Sequence, residues 1–315
     1  MNIDQTDWER TADVLRGWAL DEDLKKRMLA DPRIAAVARR LSQRYIAGES
    51  PDDALAAVRS AAARGHLGSI EYVGESIRSA DVAAAETAVF VGLAHAIAAA
   101  GLPATVSFDL SHVGSIIDPE LGFANAAELA RATAPLDRAL MISAEGSDRT
   151  DLVLDLYERL AVEHPHVGIT LQARLRRTPA DLERVLALPG RIRLVKGAFL
   201  ETDDVAYRRD SEEMYDAYLS LAGRLVSSRH AVSLATHDAS LVQRLVAHHG
   251  DALRADHVEF EMLMGLGTRL LDRLSAEGYR TREYVLFGRE WWLYVLNRIA
   301  EDPHRLFAAV ADLGR

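Results

Sequence analysis

The residues best suited to chemistry in this chain stand at the ends of short apolar runs. YVLFG gives way to the apolar helical stretch WWLYVLNRIAE, which carries a single arginine, Arg298, beside the neutral Asn297. A guanidinium on such a face suits a carboxylate or a carbonyl. The run RIRLVKGAFLE (191–201) sets Arg193 and Val195 on one face, Leu194 and Lys196 on the other. Polar groups turned into an apolar interior are costly unless they are paired or touch a ligand. Gly197-Ala198 then lets a ligand approach the backbone closely. Gln172, in TLQARLRRT, offers amide donors and a carbonyl acceptor, the pattern that the edge of a heteroaromatic ring requires. His237 ends the run LATHD. Taken singly, Lys196 reads equally well as a surface cation at a turn, and His237 as a polar cap.

Asp109 and His112, Ser143 and Glu145, Arg174, Asp238, Glu259, Glu261 and Tyr284 occupy comparable places. A metal would need His112, Glu145, His237, Glu259 and Glu261 to converge in space, because no HxxxH, HExxH or HxH spacing occurs. No catalytic metal is expected. The chain has no cysteine, which excludes disulfides, thiolate ligands and cysteine nucleophiles. Trp291-Trp292 reads as packing at a helix entrance.

These positions need a frame. Eight strand-like runs, at 69–74, 102–111, 140–145, 167–173, 192–198, 231–238, 257–265 and 279–288, alternate with helical stretches such as DLVLDLYERLAVE and SEEMYDAYLSLAGRLVSS. Such alternation implies a parallel sheet, and eight units favour a closed (βα)8 TIM barrel, an α/β fold with function at the strand C-termini. An open doubly wound sheet would usually carry a GxGxxG loop, and none is present. Residues 1–60 read as an N-terminal helical segment packed on a barrel of residues 61–315, with Pro51 early in a helix and Gly65 as its stop. The first 40 residues are expected to cover the barrel bottom or to meet another subunit. A net charge of −10 speaks against general nucleic-acid binding. The polar N-terminus lacks a signal-like core, and no uncharged apolar run reaches spanning length. The expectation is a cytoplasmic protein, with peripheral membrane contact left open.

Several stretches are more specific together than apart. RLVKGAF, LQARLRRTPADL, LATHD, VEFEMLMG, REYVLFGREWWLYVLNRIAE, GHLGSIEYVGES and VSFDLSHVG occur in consistent order over residues 40–305. This set resembles the proline dehydrogenase family. The resemblance implies a distorted barrel holding FAD noncovalently at its C-terminal face. Gln172 would meet the isoalloxazine edge, with Arg193 near flavin N5 and the pyrophosphate side. Val195, Lys196, Gly197, Ala198, Thr236 and His237 would line the cofactor. Glu259 falls in the matching segment, and Glu261 stands where the family carries glutamine.

The substrate positions depart further from the family. There, two consecutive arginines and a strand-end lysine hold a carboxylate. Arg298 matches the second arginine, but Asn297 stands at the first and Asp109 at the lysine. Ser143 replaces a family aspartate, Glu145 matches its glutamate, Tyr284 matches the ring-packing tyrosine, and Phe199 lacks the usual hydroxyl. Losing one partner of a desolvated charged contact costs about 2–5 kcal/mol. Two cations are replaced here, so L-proline is expected to be a poor substrate. Asp109 suits a cationic nitrogen instead. The resemblance therefore implies hydride transfer from an amine, imino acid or hydrazine-like compound to flavin N5, with Arg193, Tyr284, Arg298 and Asp109 as catalytic candidates. A quinone or oxygen would be the acceptor. Alternatives are a genuine L-proline dehydrogenase with compensated charge, a non-catalytic flavin-binding barrel, and a metal-dependent hydrolase. Asp109 would lose its role if it paired internally with Arg174 or Lys196.

Overall fold

The structure, a computed structural model, describes residues 5–74 and 77–312. Glu75 and Ser76, which end the GHLGSIEYVGES stretch, lie outside the described residues. Helices α1 (Gln5–Leu20), α2 (Glu22–Ala30), α3 (Pro32–Ser42) and α4 (Pro51–Ala63) come first. Ser50 and Asp53 form a capping box at α4, Pro51 takes its first position, and Gly65 follows at φ +90°. These are the start and stop signals that the sequence carries.

Eight strands then close a fully parallel barrel in sequence order. They are β1 (Leu67–Tyr72), β2 (Ala104–Phe108), β3 (Leu140–Ile142), β4 (Val167–Gln172), β5 (Ile192–Val195), β6 (Val232–Ala235), β7 (Val258–Leu263) and β8 (Thr281–Phe287). The crossovers are α5 (Ala80–Ala100), α6 (Pro119–Thr133), α7 (Thr150–Glu163), α8 (Thr178–Val185), α9 (Glu212–Val226), α10 (Ala239–His249) and α11 (Thr268–Ala276). Helices α12 (Trp291–Glu301) and α13 (Arg305–Asp312) follow β8. The expected (βα)8 barrel with extra N-terminal helices is therefore present. Its strands are shorter than the apolar runs, whose polar tails turn into βα loops. Gly197, at φ +112°, diverts the chain after β5.

Alternation along each strand divides the barrel into two environments. Outward residues such as Ile70, Val106, Leu194 and Phe260 are fully buried beneath the helices. Inward residues are polar: Ser69 and Glu71, Thr105 and Ser107, Arg193, Ser233, Glu259 and Glu261, then Arg282. Branched aliphatic residues commonly fill such interiors. A charged interior instead demands a partner for every member.

By length and composition α5 is apolar enough to cross a membrane, although it carries Asp81 and Glu86. In the barrel its buried stripe runs through Ala83, Thr87, Phe90, Leu93, Ala94 and Ile97. The first helix takes a place beside the chain's own C-terminal helices. Rather than covering the barrel bottom, α1 packs against α12 in a second apolar cluster containing Leu15, Trp291, Trp292, Val295 and Ile299. Trp292 donates its indole N–H to the carbonyl of Trp18 at 2.9 Å, so the tryptophan pair does serve helix-entrance packing. Trp8 reaches the rim of the C-terminal cavity, 4.0 Å from the ring of His304.

Candidate active site

A cavity of about 730 Å³ opens at the C-terminal end of the barrel. Cofactor pockets commonly enclose roughly 300–1,000 Å³. Of the residues expected to line a cofactor, it gathers Gln172, Arg193, Val195 and Lys196, then Gly197, Ala198, Thr236, His237 and Glu261. Of those expected to meet a substrate, it gathers Asp109, Ser143, Phe199, Tyr284 and Arg298. Asn297, half-buried on α12, does not contribute to the cavity wall.

Arg193 forms the floor. Its Nε donates to Glu261 Oε2 at 2.7 Å and its Nη2 to Glu261 Oε1 at 3.0 Å. Further N–H groups reach Thr170 Oγ1 at 3.3 Å, Ser69 Oγ at 3.1 Å and Ser107 Oγ at 3.0 Å. The guanidinium also lies 4.8 Å from the Tyr284 ring centroid. Burial works against its charge, but Glu261 and then Tyr284 and Glu71 outweigh that penalty and raise its pKa. The glutamate at position 261 thus neutralises the floor cation directly.

On the wall formed by β1, β2 and β8, Glu71 accepts hydrogen bonds from the hydroxyls of Tyr284 and Ser143, the latter at 2.7 Å. Burial and then the Glu71 carboxylate push the Tyr284 phenol well above its usual range, so it remains a donor. Asp109 lines the same wall, attracted to Arg149. Arg149 also donates to Glu145 Oε2 at 2.8 Å, while Glu145 Oε1 accepts the Ser111 N–H at 2.9 Å. The two other cations considered for Asp109 both have partners of their own. Arg174 donates to the carbonyls of Phe199 and Tyr207, and Lys196 pairs with Asp210 and Asp238 at 2.9 and 3.0 Å. Sequence reasoning missed Glu71. Its placement two residues after Ser69 on a strand was the available signal, since both then face inward.

The opposite wall is cationic. Arg298 Nη1 donates to both carboxylate oxygens of Glu301 at 2.8 Å. Arg305 reaches the same carboxylate at 3.2 Å and Arg209 approaches it at 3.7 Å. Burial opposes the Glu301 charge, yet the three guanidinium groups hold its carboxyl below the usual range. Arg305 Nη2 donates to His237 Nε2 at 3.1 Å. Arginine can only donate, so His237 carries its proton on Nδ1. Burial first, then Arg305 and Arg298, lower the His237 pKa to about 4. The sequence signals for this wall were the i,i+3 and i,i+4 spacings among Arg298, Glu301 and Arg305.

Tyr294 Oη and Arg298 Nε are buried against each other, and neither makes a hydrogen bond of good geometry with any described residue. The Tyr294 ring lies 5.2 Å from the Arg298 guanidinium, and burial raises its phenol to about 12. Two buried polar atoms with spare bonding capacity beside a cavity suit a ligand bearing its own donors and acceptors. Gln172 donates to the Glu145 carbonyl at 2.8 Å, which fixes the amide plane. Gly197-Ala198 adds almost no side chain to the wall. These features fit a flavin nucleotide. Lys196, His237 and Arg305 supply the cationic and hydrogen-bonding side that a diphosphate requires.

The arrangement differs from a metal centre. His112 is buried against Glu86, its Nε2 2.7 Å from Glu86 Oε2, whereas Glu259 and Glu261 are held in separate ion pairs. Among the described residues no three His, Asp or Glu side chains are grouped to hold a metal ion.

Comparison with known proteins places this geometry in context. Residues 54–301 match the family model described as proline dehydrogenase. A proline dehydrogenase from Deinococcus radiodurans is 34% identical over 284 residues, covering 86% of this chain and 91% of that protein. Proline dehydrogenase 1 of Bacillus subtilis is 30% identical over 270 residues, covering 83% of this chain and 87% of that protein. In the crystal structure of proline utilization A from Bdellovibrio bacteriovorus, inactivated by N-propargylglycine, a similar fold superposes with a TM-score of 0.79. That match is 20% identical and covers 95% of this chain but 37% of the other.

Proposed function

From the premise that the chain belongs to the proline dehydrogenase family of FAD oxidoreductases, we propose that it oxidises a small nitrogen-containing substrate other than L-proline. The substrate nitrogen would face Glu71 and Asp109, with any carbonyl or carboxylate end toward Arg298. The observation that carries this reading is Glu71, which takes hydrogen bonds from Tyr284 and Ser143 on the wall occupied by Asp109.

FAD, when bound, supplies the two-electron acceptor, taking the hydride at N5. Conversion of C–N to C=N removes that hydride from carbon and a proton from nitrogen. N–N to N=N oxidation has the same balance. Glu71 and Asp109 attract the cationic nitrogen and receive its proton, while Tyr284 is held against the reacting face by its bond to Glu71. The apolar surface of Phe199, which lacks a tyrosine hydroxyl, borders the cavity and helps exclude water. Arg298 and Asn297 do not reproduce a pair of free arginines, because Arg298 is chelated by Glu301. Arg193 and Glu261 would set the charge of the floor that a bound flavin meets.

A second reading, genuine L-proline oxidation to 1-pyrroline-5-carboxylate, is favoured by Arg209 and Arg305. With Arg298 they set three guanidinium groups around one carboxylate, enough to receive a substrate anion. Anaerobic mixing of yellow, FAD-loaded enzyme with L-proline and with a panel of small amines and hydrazines separates the readings. Fast bleaching by an amine, with slow bleaching by L-proline, is the expected outcome. Rapid reduction by sub-millimolar L-proline would select the second reading. A colourless folded protein unable to take up FAD would sink both. A quinone or oxygen is the proposed acceptor, and the enzyme is proposed to be cytoplasmic with peripheral membrane contact.

A further inference from the structure

A second cavity, of about 700 Å³, opens at the N-terminal end of the barrel. That end is normally a structural floor. Here its depth is formed by Arg191 and Arg282, and its rim by Arg138, Arg229 and Arg280. Such a concentration of guanidinium is out of keeping with a chain whose net charge is −10.

The two deep arginines share one carboxylate. Arg282 Nε lies 2.6 Å and Arg191 Nη1 2.9 Å from Glu259 Oε1, which also accepts the Ser233 hydroxyl at 2.6 Å. Their side chains are only 3% and 15% exposed, so one positive charge is left over in a poorly solvated place. Burial, reinforced by repulsion from Arg282 and Arg193, lowers the Arg191 pKa despite Glu259.

The rim is little compensated. Asp137 lines it, and Asp256 stands 4.0 Å from Arg280 with its carboxylate fully in solvent. Arg138 donates to the Asp137 backbone carbonyl at 2.8 Å. Arg229 makes no hydrogen bond or ion pair with any described residue. It also holds φ +68°, a left-handed conformation that a non-glycine residue adopts at a cost of about 1–2 kcal/mol. Arg229 and Arg138 both line the cavity.

We propose that the N-terminal cavity binds a small polyvalent anion bearing phosphoryl or clustered carboxylate groups. Guanidinium forks match both chemistries bidentately. A recessed site on an acidic protein admits such an ion and repels a polyanionic chain.

Titration calorimetry on the full chain saturated with FAD, at constant ionic strength, tests the site with pyrophosphate and with citrate. Saturation with FAD keeps the probes from the cofactor's place in the opposite cavity, and the rim substitutions separate binding here from binding beside Arg298 there. Saturable binding at one ion per chain is expected, weakened at least about tenfold by Arg138→Ala/Arg229→Ala. A charge-matched Arg224→Ala/Arg244→Ala variant, altered on the outer helices, should bind as the parent does. The stronger of the two probes identifies the anion class. Absence of saturation up to about 10 mM, the weak limit of specific recognition, would overturn the proposal. So would affinity unchanged by the rim substitutions, or reduced equally by the charge-matched pair.

Discussion

Two ion clusters built from the same strands sit one layer apart inside the barrel. In the upper layer β5 supplies Arg193 and β7 supplies Glu261. In the layer below, Glu259 from β7 meets Arg191, just before β5, and Arg282 from β8. The upper pair is balanced in charge, and its arginine has three hydroxyl partners besides the carboxylate. The lower cluster sets two arginines against one carboxylate. A ligand above the upper layer therefore meets a nearly neutral floor, whereas one entering from below meets an unspent cation. Counting ion pairs would treat the layers alike. Their stoichiometry makes one a tuning device and the other an attractor.

The largest test of that contrast is stability. Glu259→Gln leaves two buried guanidinium groups without an anion and should cost about 3–5 kcal/mol in denaturant unfolding. Glu261→Gln strands one arginine that keeps its hydroxyl acceptors, so a loss of about 1–2 kcal/mol is expected. Equal losses would abolish the distinction between the layers.

Acid sharpens the same comparison. Burial opposes ionisation of Glu259, yet Arg282 and Arg191 hold its pKa at about 2, against about 4.3 for a free glutamate. Between those values the unfolded chain binds more protons than the folded one, so stability falls as pH falls. The contribution is fully present above pH 4.3 and amounts to about 3 kcal/mol lost on approaching pH 2. Stability curves from pH 5 to 2.5 should be flatter in Glu259→Gln. An unchanged slope would mean that the lower cluster does not hold its carboxylate ionised.

How much of this was legible beforehand follows from the range of each interaction. Period-two runs and strand–helix alternation are local, and they located every barrel strand. Motifs such as LVKGA and LATHD carry residues that do meet around one cavity. The pairing of Glu71 with Tyr284 spans 213 positions and depends on the closure of β1 onto β8, where Ser69 registers with Tyr284. No local pattern contains that closure. The neutralisation of Arg298 by Glu301 is legible in helical spacing, since the acid stands three residues on. The position of α1 was not accessible, because an amphipathic helix announces a buried face without naming its partner.

Moving upward from the floor, Glu71→Gln removes the wall carboxylate that holds Tyr284 while keeping its shape. For a cationic amine kcat/KM should fall by roughly tenfold to a hundredfold, about 1.4–2.7 kcal/mol. KM should carry much of the loss if Glu71 recognises the cation. A purely structural role would change thermal stability while leaving discrimination between charged and neutral amines as it was.

The smallest expected effect bears on the floor itself. Reduction adds negative charge to a bound flavin, and a nearby cation favours that state. Arg193 would do so at full strength were it not paired at 2.7 Å with Glu261. Glu261→Gln retains a hydrogen-bond acceptor for the guanidinium while removing the opposing charge. The two-electron potential of bound FAD should therefore rise by about 30 mV, equivalent to about 1.4 kcal/mol. Spectroelectrochemical titration reads that shift without any substrate. A substitution at Glu259, one layer further from the cavity, should move it less in the same direction. If both variants shift the potential equally, the floor is set by the summed charge of the barrel interior and not by the pair beneath the ring. A fall in potential on Glu261→Gln would show that the carboxylate positions Arg193 more than it cancels it.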